Sequence, residues 1–262
     1  MNIQKITLGF FLLLSLNTFA QDPTGAIKKE TKNAFLDSIK STFVQDNIAS
    51  CVDSLWMKEL SNLDLYNDLS VDIKNINIDQ KVDFELPTEL LKSRLAKMDA
   101  KSPFNIEYNQ GLENIIKSFL KNRKKSFERL MAISEFYFPM FEEAMARQNV
   151  PLEIKYLAVV ESALNPKAVS RVGATGLWQF MYSTGRQYKL EVNSFVDERR
   201  DPIKSSYAAA KFLKDLYKMY GNWPLVIAAY NCGPGNVNKA IRRSGGKKNY
   251  WDIYYRLPKE TR

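Results

Sequence analysis

The residue type that is missing from this chain limits the chemistry that it can perform. Its 262 residues include no histidine. This absence excludes a Ser-His-Asp or Cys-His triad, a His-ligated zinc site and a proton shuttle through imidazole. Any acid–base catalysis must therefore use Asp, Glu, Lys, Tyr or Cys side chains. We find no phosphate-binding loop and no cluster of metal ligands in the sequence, so we expect no cofactor and no metal.

One glutamate lies in a setting that suits acid catalysis. Glu161 follows the apolar run Leu157–Val160 at the predicted end of a helix. We expect its carboxyl group to be partly desolvated, which raises the pKa, and a Glu that stays protonated near neutral pH can act as a general acid. Taken alone, a glutamate at a helix end is also compatible with an ordinary surface charge.

The segment that follows this glutamate is predicted to form a tight loop. The Asn-Pro pair at 165–166 ends the helix, and Gly173 and Gly176 permit tight turns. Such a loop can bring its backbone, together with Ser170 or Gln179, close to a ligand.

Several sequence blocks in this part of the chain resemble one enzyme family. They read E-S-A-L-N-P-K-A-V-S from residue 161, G-A-T-G-L-W-Q-F-M from residue 173 and A-A-Y-N-C-G-P-G-N-V at 228–237, with Asp-Pro at 201–202 between them. In this order and spacing they resemble the lytic transglycosylase domain related to goose-type lysozyme. Upstream, I-S-E-F-Y-F-P-M-F-E-E from residue 133 and P-L-E-I-K-Y-L-A-V-V-E-S from residue 151 are similar to the membrane-bound lytic murein transglycosylase D group. The resemblance covers about 87–262, and one departure from it is Tyr182, where many relatives have proline.

The resemblance implies a reaction and a set of site residues. The reaction is cleavage of the β-1,4 bond between N-acetylmuramic acid and N-acetylglucosamine, with formation of a 1,6-anhydromuramic acid end. Glu161 would protonate the glycosidic oxygen and then, as a carboxylate, take the proton of the C6 hydroxyl. By matching position, the residues implied to contact substrate are Ser170, Trp178, Gln179, Tyr230 and Asn231. For Trp178, as for Phe180, packing in the core is the alternative.

Two other functions stay open at this stage. The same fold could hydrolyse the bond, as goose-type lysozymes do, if a second carboxylate held a water molecule near C1. Glu153 lies about 12 Å from Glu161 along a helix, which is too far, and Asp201 resembles a helix cap. Asp197 and Glu198 cannot be placed from sequence. The chain could also be a non-catalytic protein that binds the cell wall.

Helical periodicity dominates the elements that must position these residues. Apolar residues recur at helical spacing over 112–120 and 127–145, and further helices are predicted at 153–162, 202–220, 224–230 and 234–243. We find neither an alternating strand pattern nor an internal repeat. The predicted fold class is mainly α, with a helical N-terminal extension, and the resemblance implies a lysozyme-like catalytic domain.

The chain is predicted to have five parts. They are a signal peptide at 1–20, a polar region at 21–86, a helical extension at 87–150 that packs on the catalytic domain, the catalytic domain at 151–245, and a C-terminal segment at 246–262. The polar region is expected to be partly disordered or to hold short helices near 30–44 and 52–66, with a linker over 71–87 and Thr88 capping the next helix. Because D-group relatives usually continue into LysM repeats, we expect either a short form or a fragment.

The first twenty residues and the charge distribution indicate location and partner. Lys5, the apolar run at 6–16 and Thr18-Phe19-Ala20 are typical of a cleaved signal peptide, with an uncleaved membrane anchor as the alternative. We therefore expect export to the periplasm, with association with the outer membrane or with cell-wall proteins left open. Residues 151–262 carry 19 Lys and Arg against nine Asp and Glu.

This basic half suits an anionic partner, although a solvated basic surface is the alternative. Export argues against nucleic acid and favours peptidoglycan glycan strands, whose peptides carry carboxylates. The chain has two cysteines, Cys51 and Cys232, and we expect two unpaired thiols. The oligomeric state is not predicted.

Overall fold

The computed structural model describes residues 34, 37–39, 41 and 47–262. The predicted signal peptide lies outside the described residues, as does most of the helix predicted at 30–44. Within the described part the regular elements are helices, accompanied by isolated antiparallel bridges rather than strands. The mainly α fold class is therefore confirmed. None of the helices described is both long enough and apolar enough to cross a membrane.

The helices of the described residues are numbered in chain order. The α-helices are α1 (Asn47–Leu60), α2 (Asp64–Lys74), α3 (Thr88–Asp99), α4 (Gln110–Asn122), α5 (Lys124–Gln148), α6 (Tyr156–Ser162), α7 (Tyr182–Gln187), α8 (Pro202–Tyr220), α9 (Trp223–Cys232), α10 (Pro234–Arg243) and α11 (Tyr250–Ile253). Short 3-10 helices span Leu152–Lys155, Glu198–Arg200, Tyr254–Arg256 and Lys259–Thr261.

Helix α5 provides one side of the main hydrophobic core. Its buried side chains recur every three or four residues and are Leu130, Ile133, Tyr137, Phe141, Ala144 and Met145. This spacing places them on one face, and that face packs against α8. The helix ends at Asn149, whose φ of 54° is left-handed, and the Val150 amide donates to the Met145 carbonyl at 3.0 Å. The chain therefore turns before Pro151, after the long helix.

Helices α8 and α9 complete the core below the loop that follows α6. The Asp201 carboxylate accepts from the Lys204 amide at 2.8 Å and Pro202 is the first residue of α8, so the predicted cap is confirmed. Asn222 caps α9 in the same way by accepting from the Leu225 amide at 3.2 Å. Buried alanines on both helices let them pack closely; they are Ala208, Ala209, Ala210, Ala228 and Ala229.

The region before α5 contains the main differences from the sequence predictions. The single helix predicted near 52–66 is wrong, because a turn at 61–63 separates α1 from α2. The predicted linker over 71–87 begins too early, since α2 continues to Lys74. Leu65 and Leu69 of α2 are buried in the main core, and this packing stabilises a helix whose sequence looks polar.

Thr88 does not cap α3, because Pro87 occupies the capping position and the Thr88 hydroxyl donates instead to the Glu113 carboxylate at 2.8 Å. Glu113 also accepts from Tyr108 at 2.6 Å and pairs with Lys117 at 2.7 Å. These hydrogen bonds and the nearby Lys117 charge lower the pKa of Glu113 to about 2. One carboxylate therefore joins the start of α3, the following loop and α4.

Candidate active site

Glu161 lies in the last turn of α6, immediately before an unusual change of chain direction. Ala163 and Leu164 follow with φ values of 51° and 60°, although neither is glycine. Left-handed non-glycine residues are costly and tend to occur where function requires them. The α-helix predicted over 153–162 is shorter than expected. Its first turn, Leu152–Lys155, is a 3-10 helix, and the α-helix begins at Tyr156.

Buried hydrogen bonds hold this turn in place. The Ser162 hydroxyl lies 2.9 Å from the carbonyl oxygens of both Ala158 and Leu177, and Ser162 is fully buried. Leu177 belongs to the loop that follows, so these bonds tie the end of α6 to that loop. The Oδ1 of Asn165 accepts a hydrogen bond from the Lys167 amide at 2.8 Å. The backbone on both sides of Glu161 is therefore fixed.

The Glu161 carboxyl is largely shielded from water. Burial raises its pKa from 4.5 to about 7. Burial is the single cause, so no charged group among the described residues contributes to the shift. A carboxyl with this pKa is protonated in about half of the molecules at neutral pH, and it can both give and accept a proton there.

Two tyrosines lie within electrostatic range of Glu161. Burial, and then the charge of Glu161, raise the pKa of Tyr230 on α9 well above 10. The same two causes raise the pKa of Tyr66 on α2. The Tyr230 hydroxyl donates to the Trp178 carbonyl at 2.7 Å. Tyr230 thus lies close enough to Glu161 to feel its charge, and its hydroxyl proton is used in a hydrogen bond to the loop backbone. Contact between Tyr230 and substrate stays a prediction.

The loop between α6 and α7 is built from short backbone pairings. Ser170 and Ala174 are joined by two bonds, of which one, at 3.0 Å, runs from the Ala174 amide to the Ser170 hydroxyl oxygen. Thr175 and Phe180 exchange backbone bonds at 3.0 and 3.1 Å. Because Ser170 Oγ accepts from the loop, its hydroxyl proton stays available to an acceptor on a ligand.

Gln179 serves the same loop. Its φ is 47°, and its amide Nε2 donates to the carbonyls of Ala168 and Gly176 at 3.2 and 2.9 Å. Gly176 has a φ of +85°, and a Cβ there would meet the Arg199 carbonyl oxygen at 1.9 Å. Only glycine fits this close approach. The half-buried side chain of Gln179 keeps its Oε1 for a ligand.

Arg199 is a structural residue of the site that the sequence analysis missed. Its guanidinium donates to the carbonyls of Gly173 and Phe180 at 3.1 and 3.2 Å. It also forms an ion pair with Asp197 at 2.8 Å. A guanidinium offers five donors in a fixed plane, which suits it to crosslinking a loop in this way. The sequence signal that could have pointed to Arg199 is the charged run D-E-R-R at 197–200, which lies directly before the residue that caps α8.

Two aromatic residues of the loop, Trp178 and Phe180, are buried in the core. Trp178 is fully buried: its ring lies 4.9 Å from that of Phe141, and its indole N–H donates to Ser206 at 2.9 Å. The implied contact between Trp178 and substrate is therefore wrong, because the indole ring is enclosed in the core and has no exposed surface. Phe180 is also buried, at 2% exposure, as its core alternative predicts.

Asn231 is exposed at the end of α9. Its Oδ1 accepts a bond from the Thr261 hydroxyl at 2.8 Å, which connects α9 to the last short helix of the described chain. Contact between Asn231 and substrate stays a prediction. Next to it, Cys232 is a free thiol, and Cys51 is likewise free.

The candidate second carboxylates are engaged elsewhere. Bonds from Arg199 lower the pKa of Asp197, and the Glu191 amide, at 2.7 Å, and Lys204 bind the Glu198 carboxylate. Asp201 caps α8, as described above. Within the described part of the chain, no group of three or more His, Cys, Asp or Glu is arranged to hold a metal ion. The site therefore combines one carboxyl, Glu161, that can give and accept a proton near neutral pH with a polar loop held by its own hydrogen bonds.

Comparison with known proteins adds a family to this geometry. The family model described as "Transglycosylase SLT domain" matches residues 138–253. Residues 138–253 are therefore similar to an SLT domain. The matched region begins within α5, upstream of the predicted boundary at 151, and it contains Glu161 and every other predicted site residue.

The chain is similar to proteins from several bacteria. Membrane-bound lytic murein transglycosylase D of Escherichia coli (strain K12) is 38% identical over 145 residues, which cover 53% of this chain and 32% of that protein. A putative tributyltin chloride resistance protein of Alteromonas sp. (strain M-1) is 34% identical over 119 residues, covering 45% of this chain and 58% of that one. The chain thus spans about a third of the first relative and over half of the second.

Among solved structures, the crystal structure of the 70 kDa soluble lytic transglycosylase from Escherichia coli matches with a TM-score of 0.43 at 23% identity. That match covers 68% of this chain and 28% of the other.

Proposed function

We propose that the protein is a peptidoglycan lytic transglycosylase whose catalytic acid and base is Glu161. The observation that carries the proposal is one half-buried carboxyl whose pKa is raised to about 7 by burial, placed at the rigid end of α6 inside the region that matches the SLT domain. The names of its relatives, lytic murein transglycosylases, support the same substrate class.

In the first step protonated Glu161 transfers its proton to the glycosidic oxygen between N-acetylmuramic acid and N-acetylglucosamine. The bond from muramic acid C1 to that oxygen breaks, and the N-acetylglucosamine part leaves with a hydroxyl group. The positive charge that develops at C1 is stabilised by the 2-acetamido group of the substrate itself. This internal stabilisation removes the need for the second carboxylate that ordinary glycosidases use.

In the second step the Glu161 carboxylate accepts the proton of the muramic acid C6 hydroxyl while that oxygen bonds to C1. The product is a 1,6-anhydro ring, the carboxyl is protonated again, and no water is consumed. A pKa near neutrality suits both proton transfers, because the same group must be a competent acid and then a competent base. Burial supplies that pKa.

The loop supplies the rest of the site in this proposal. We infer that Ser170 and the Oε1 of Gln179 contact the sugars on either side of the cleaved bond, and that Asn231 contacts the glycan farther along. The backbone bonds of the loop and the Arg199 crosslink keep these groups in place without substrate, which reduces the ordering cost of binding. Residues 151–245 then carry the chemistry, and 87–150 form an extension that supports it.

The remaining parts of the proposal concern substrate charge and location. The excess of Lys and Arg over residues 151–262 favours a polymer with carboxylates, and we infer that peptidoglycan strands are the partner. We infer export by the signal peptide at 1–20, with the periplasm as the destination. Mass analysis of the protein from the envelope fraction tests this: a chain starting at Gln21 is expected, and a chain that keeps residues 1–20 would contradict it.

Two variants test the assignment of Glu161. Glu161→Gln keeps the size of the side chain but cannot give or accept the proton, whereas Glu153→Gln makes the same change in the adjacent 3-10 helix. We expect release of soluble fragments from purified peptidoglycan to fall at least about 1,000-fold in Glu161→Gln, in line with the loss of an essential acid. Glu153→Gln is expected to cleave like the wild type.

Sedimentation with insoluble peptidoglycan separates catalysis from binding. Glu161→Gln is expected to bind as well as the wild type, because the substitution leaves the loop intact. Cleavage by Glu161→Gln at the wild-type rate would overturn the assignment. Binding without cleavage by the wild-type protein would instead favour a non-catalytic wall-binding role.

A further inference from the structure

Helix α2 lies outside the region that matches the SLT domain but packs against it. Leu65 and Leu69, one turn apart, are 4% and 7% exposed. They belong to the same core cluster as Phe141 of α5 and Trp178, which is part of the loop of the site. Spacing of four residues puts both leucines on one face, so that face of α2 is committed to the core of the matched region.

Polar contacts hold α2 at both ends. Before its first turn, the Asn62 carbonyl accepts from the side-chain amide of Asn165 at 2.7 Å, and Asn165 is 4% exposed. At its other end Asp72 forms an ion pair with Arg123 at 2.5 Å. The bond to Asn165 matters most, because Asn165 belongs to the same short motif as Glu161 and lies just after the left-handed turn.

Tyr66 follows directly after the first buried leucine. It is half-buried and packs against the core cluster. Its pKa is raised by burial first and by the charge of Glu161 second, which places its ring within electrostatic range of that carboxyl. Its hydroxyl therefore keeps its proton at neutral pH.

The two tyrosines near Glu161 differ in what their hydroxyl groups do. The Tyr230 hydroxyl is bound to the Trp178 carbonyl. Among the residues that the structure describes, the Tyr66 hydroxyl has no hydrogen-bond partner. Tyr66 and Tyr230 are the titratable groups of the described chain that respond to Glu161, and no charged group shifts Glu161 itself. Of the two tyrosines that respond to the charge of Glu161, Tyr66 is therefore the one with a free hydroxyl donor.

We propose that α2 forms one wall of the active site and that Tyr66 is a positioning residue for Glu161. Its ring excludes water from the carboxyl, and its hydroxyl donates to the carboxylate that exists after the first proton transfer. The proposal rests on the catalytic role of Glu161 proposed above, and it assigns a function to a segment that precedes the matched region.

The two parts of Tyr66 act on Glu161 in opposite directions. Removing the ring in Tyr66→Ala admits water, which stabilises the charged carboxylate and lowers its pKa. Removing only the hydroxyl in Tyr66→Phe keeps the shield but deletes a donor to the carboxylate, which raises the pKa. A residue with a purely structural role would not produce shifts of opposite sign.

The test measures the Glu161 pKa directly by NMR titration of protein with isotope-labelled Glu carboxyl carbons. Comparison with Glu161→Gln assigns the signal. We expect the Glu161 pKa to be about one pH unit lower in Tyr66→Ala than in the wild type. In Tyr66→Phe we expect it to be about half a pH unit higher than in the wild type. The control is Val71→Ala, an exposed position on the same helix at 56% exposure, which should leave the pKa at its wild-type value. An unchanged pKa in either Tyr66 variant would overturn the proposal.

This measurement does not depend on cleavage, so the two proposals can fail separately. If the wild type produces anhydro products but Tyr66 substitutions leave the pKa unchanged, the wall is wrong and the enzyme function stands. If the wild type does not cleave, the function fails whatever the titration gives. Should Tyr66→Ala fail to fold, Tyr66→Phe decides, because it preserves the packing of the ring. The cleavage rate should fall as pH rises through the Glu161 pKa, because the first step needs the protonated form. In each variant the pH at which the rate falls should shift with the measured pKa.

Discussion

Replacing Glu161 with glutamine is expected to stabilise the folded protein at alkaline pH. The buried carboxyl of Glu161 has a pKa of about 7, against 4.5 for an ordinary glutamate. Above pH 7 the folded protein must hold a desolvated negative charge. Glutamine resembles the protonated form in size and polarity but never acquires that charge.

The size of the effect follows from the two pKa values. A difference of one in pKa corresponds to about 1.4 kcal/mol, so the shift from 4.5 to about 7 corresponds to about 3 kcal/mol. Between these values the folded state holds the proton more tightly than the unfolded state, and stability therefore falls as pH rises. The difference between Glu161→Gln and the wild type should be near zero below pH 4.5 and should reach about 3 kcal/mol above pH 8.

Urea unfolding of both proteins at pH 4.5, 6, 7 and 8.5 measures this difference. Glu153→Gln is the control, and we expect its stability to follow that of the wild type at every pH. The same Glu161→Gln protein should be inactive on peptidoglycan, so stability and activity would change in opposite directions. A difference in unfolding free energy that stays constant from pH 4.5 to 8.5 would refute the buried-carboxyl argument.

Two further substitutions test the supporting structure. Gly176→Ala should destabilise the fold by about 2–4 kcal/mol, because its Cβ would meet the Arg199 carbonyl oxygen at 1.9 Å. Gly173→Ala is the matched control, with the same φ of +85° and no atom within 4 Å of the new Cβ, and equal unfolding free energies of the two variants would contradict the close approach. In the wild type, the hydrogen bonds to ionised Glu113 contribute stability that is lost as pH falls from about 4.5 to about 2. Glu113→Gln lacks the carboxylate, so it should lack this contribution and should not show this loss. Acid titration followed by circular dichroism checks this, and an unchanged acid transition in the variant would speak against it.

Local sequence patterns predicted what depends on neighbours in the chain. Helical spacing gave the face of α5, and Asp-Pro at 201–202 gave the start of α8. The apolar run before Glu161 predicted a desolvated carboxyl, and the structure has that carboxyl with a raised pKa. The mainly α fold could therefore be inferred from periodicity alone. The transglycosylase match depended on three separated blocks occurring in a fixed order.

Contacts between distant segments could not be predicted in this way. Trp178 was expected to stack on a sugar, because a loop sequence does not reveal which of its aromatic side chains enters the core. Arg199 binds two carbonyls of a loop that ends about twenty residues earlier, and nothing local indicates that pairing. The sequence predicted only part of α2, because polar residues around Leu65 and Leu69 obscure the helical pattern of this segment. Both leucines are buried in the same core cluster as side chains of α5, so tertiary packing decides whether this helix forms.

The central claim is that one carboxyl cleaves the glycan without using water. Digestion of purified peptidoglycan in water labelled with a heavy oxygen isotope, followed by mass spectrometry of the products, tests it most directly. The account predicts muramic acid ends that are about one water lighter than reducing ends and carry no label. Reducing ends with the heavy oxygen would contradict it, since that product requires a hydrolase and a carboxylate to hold the attacking water.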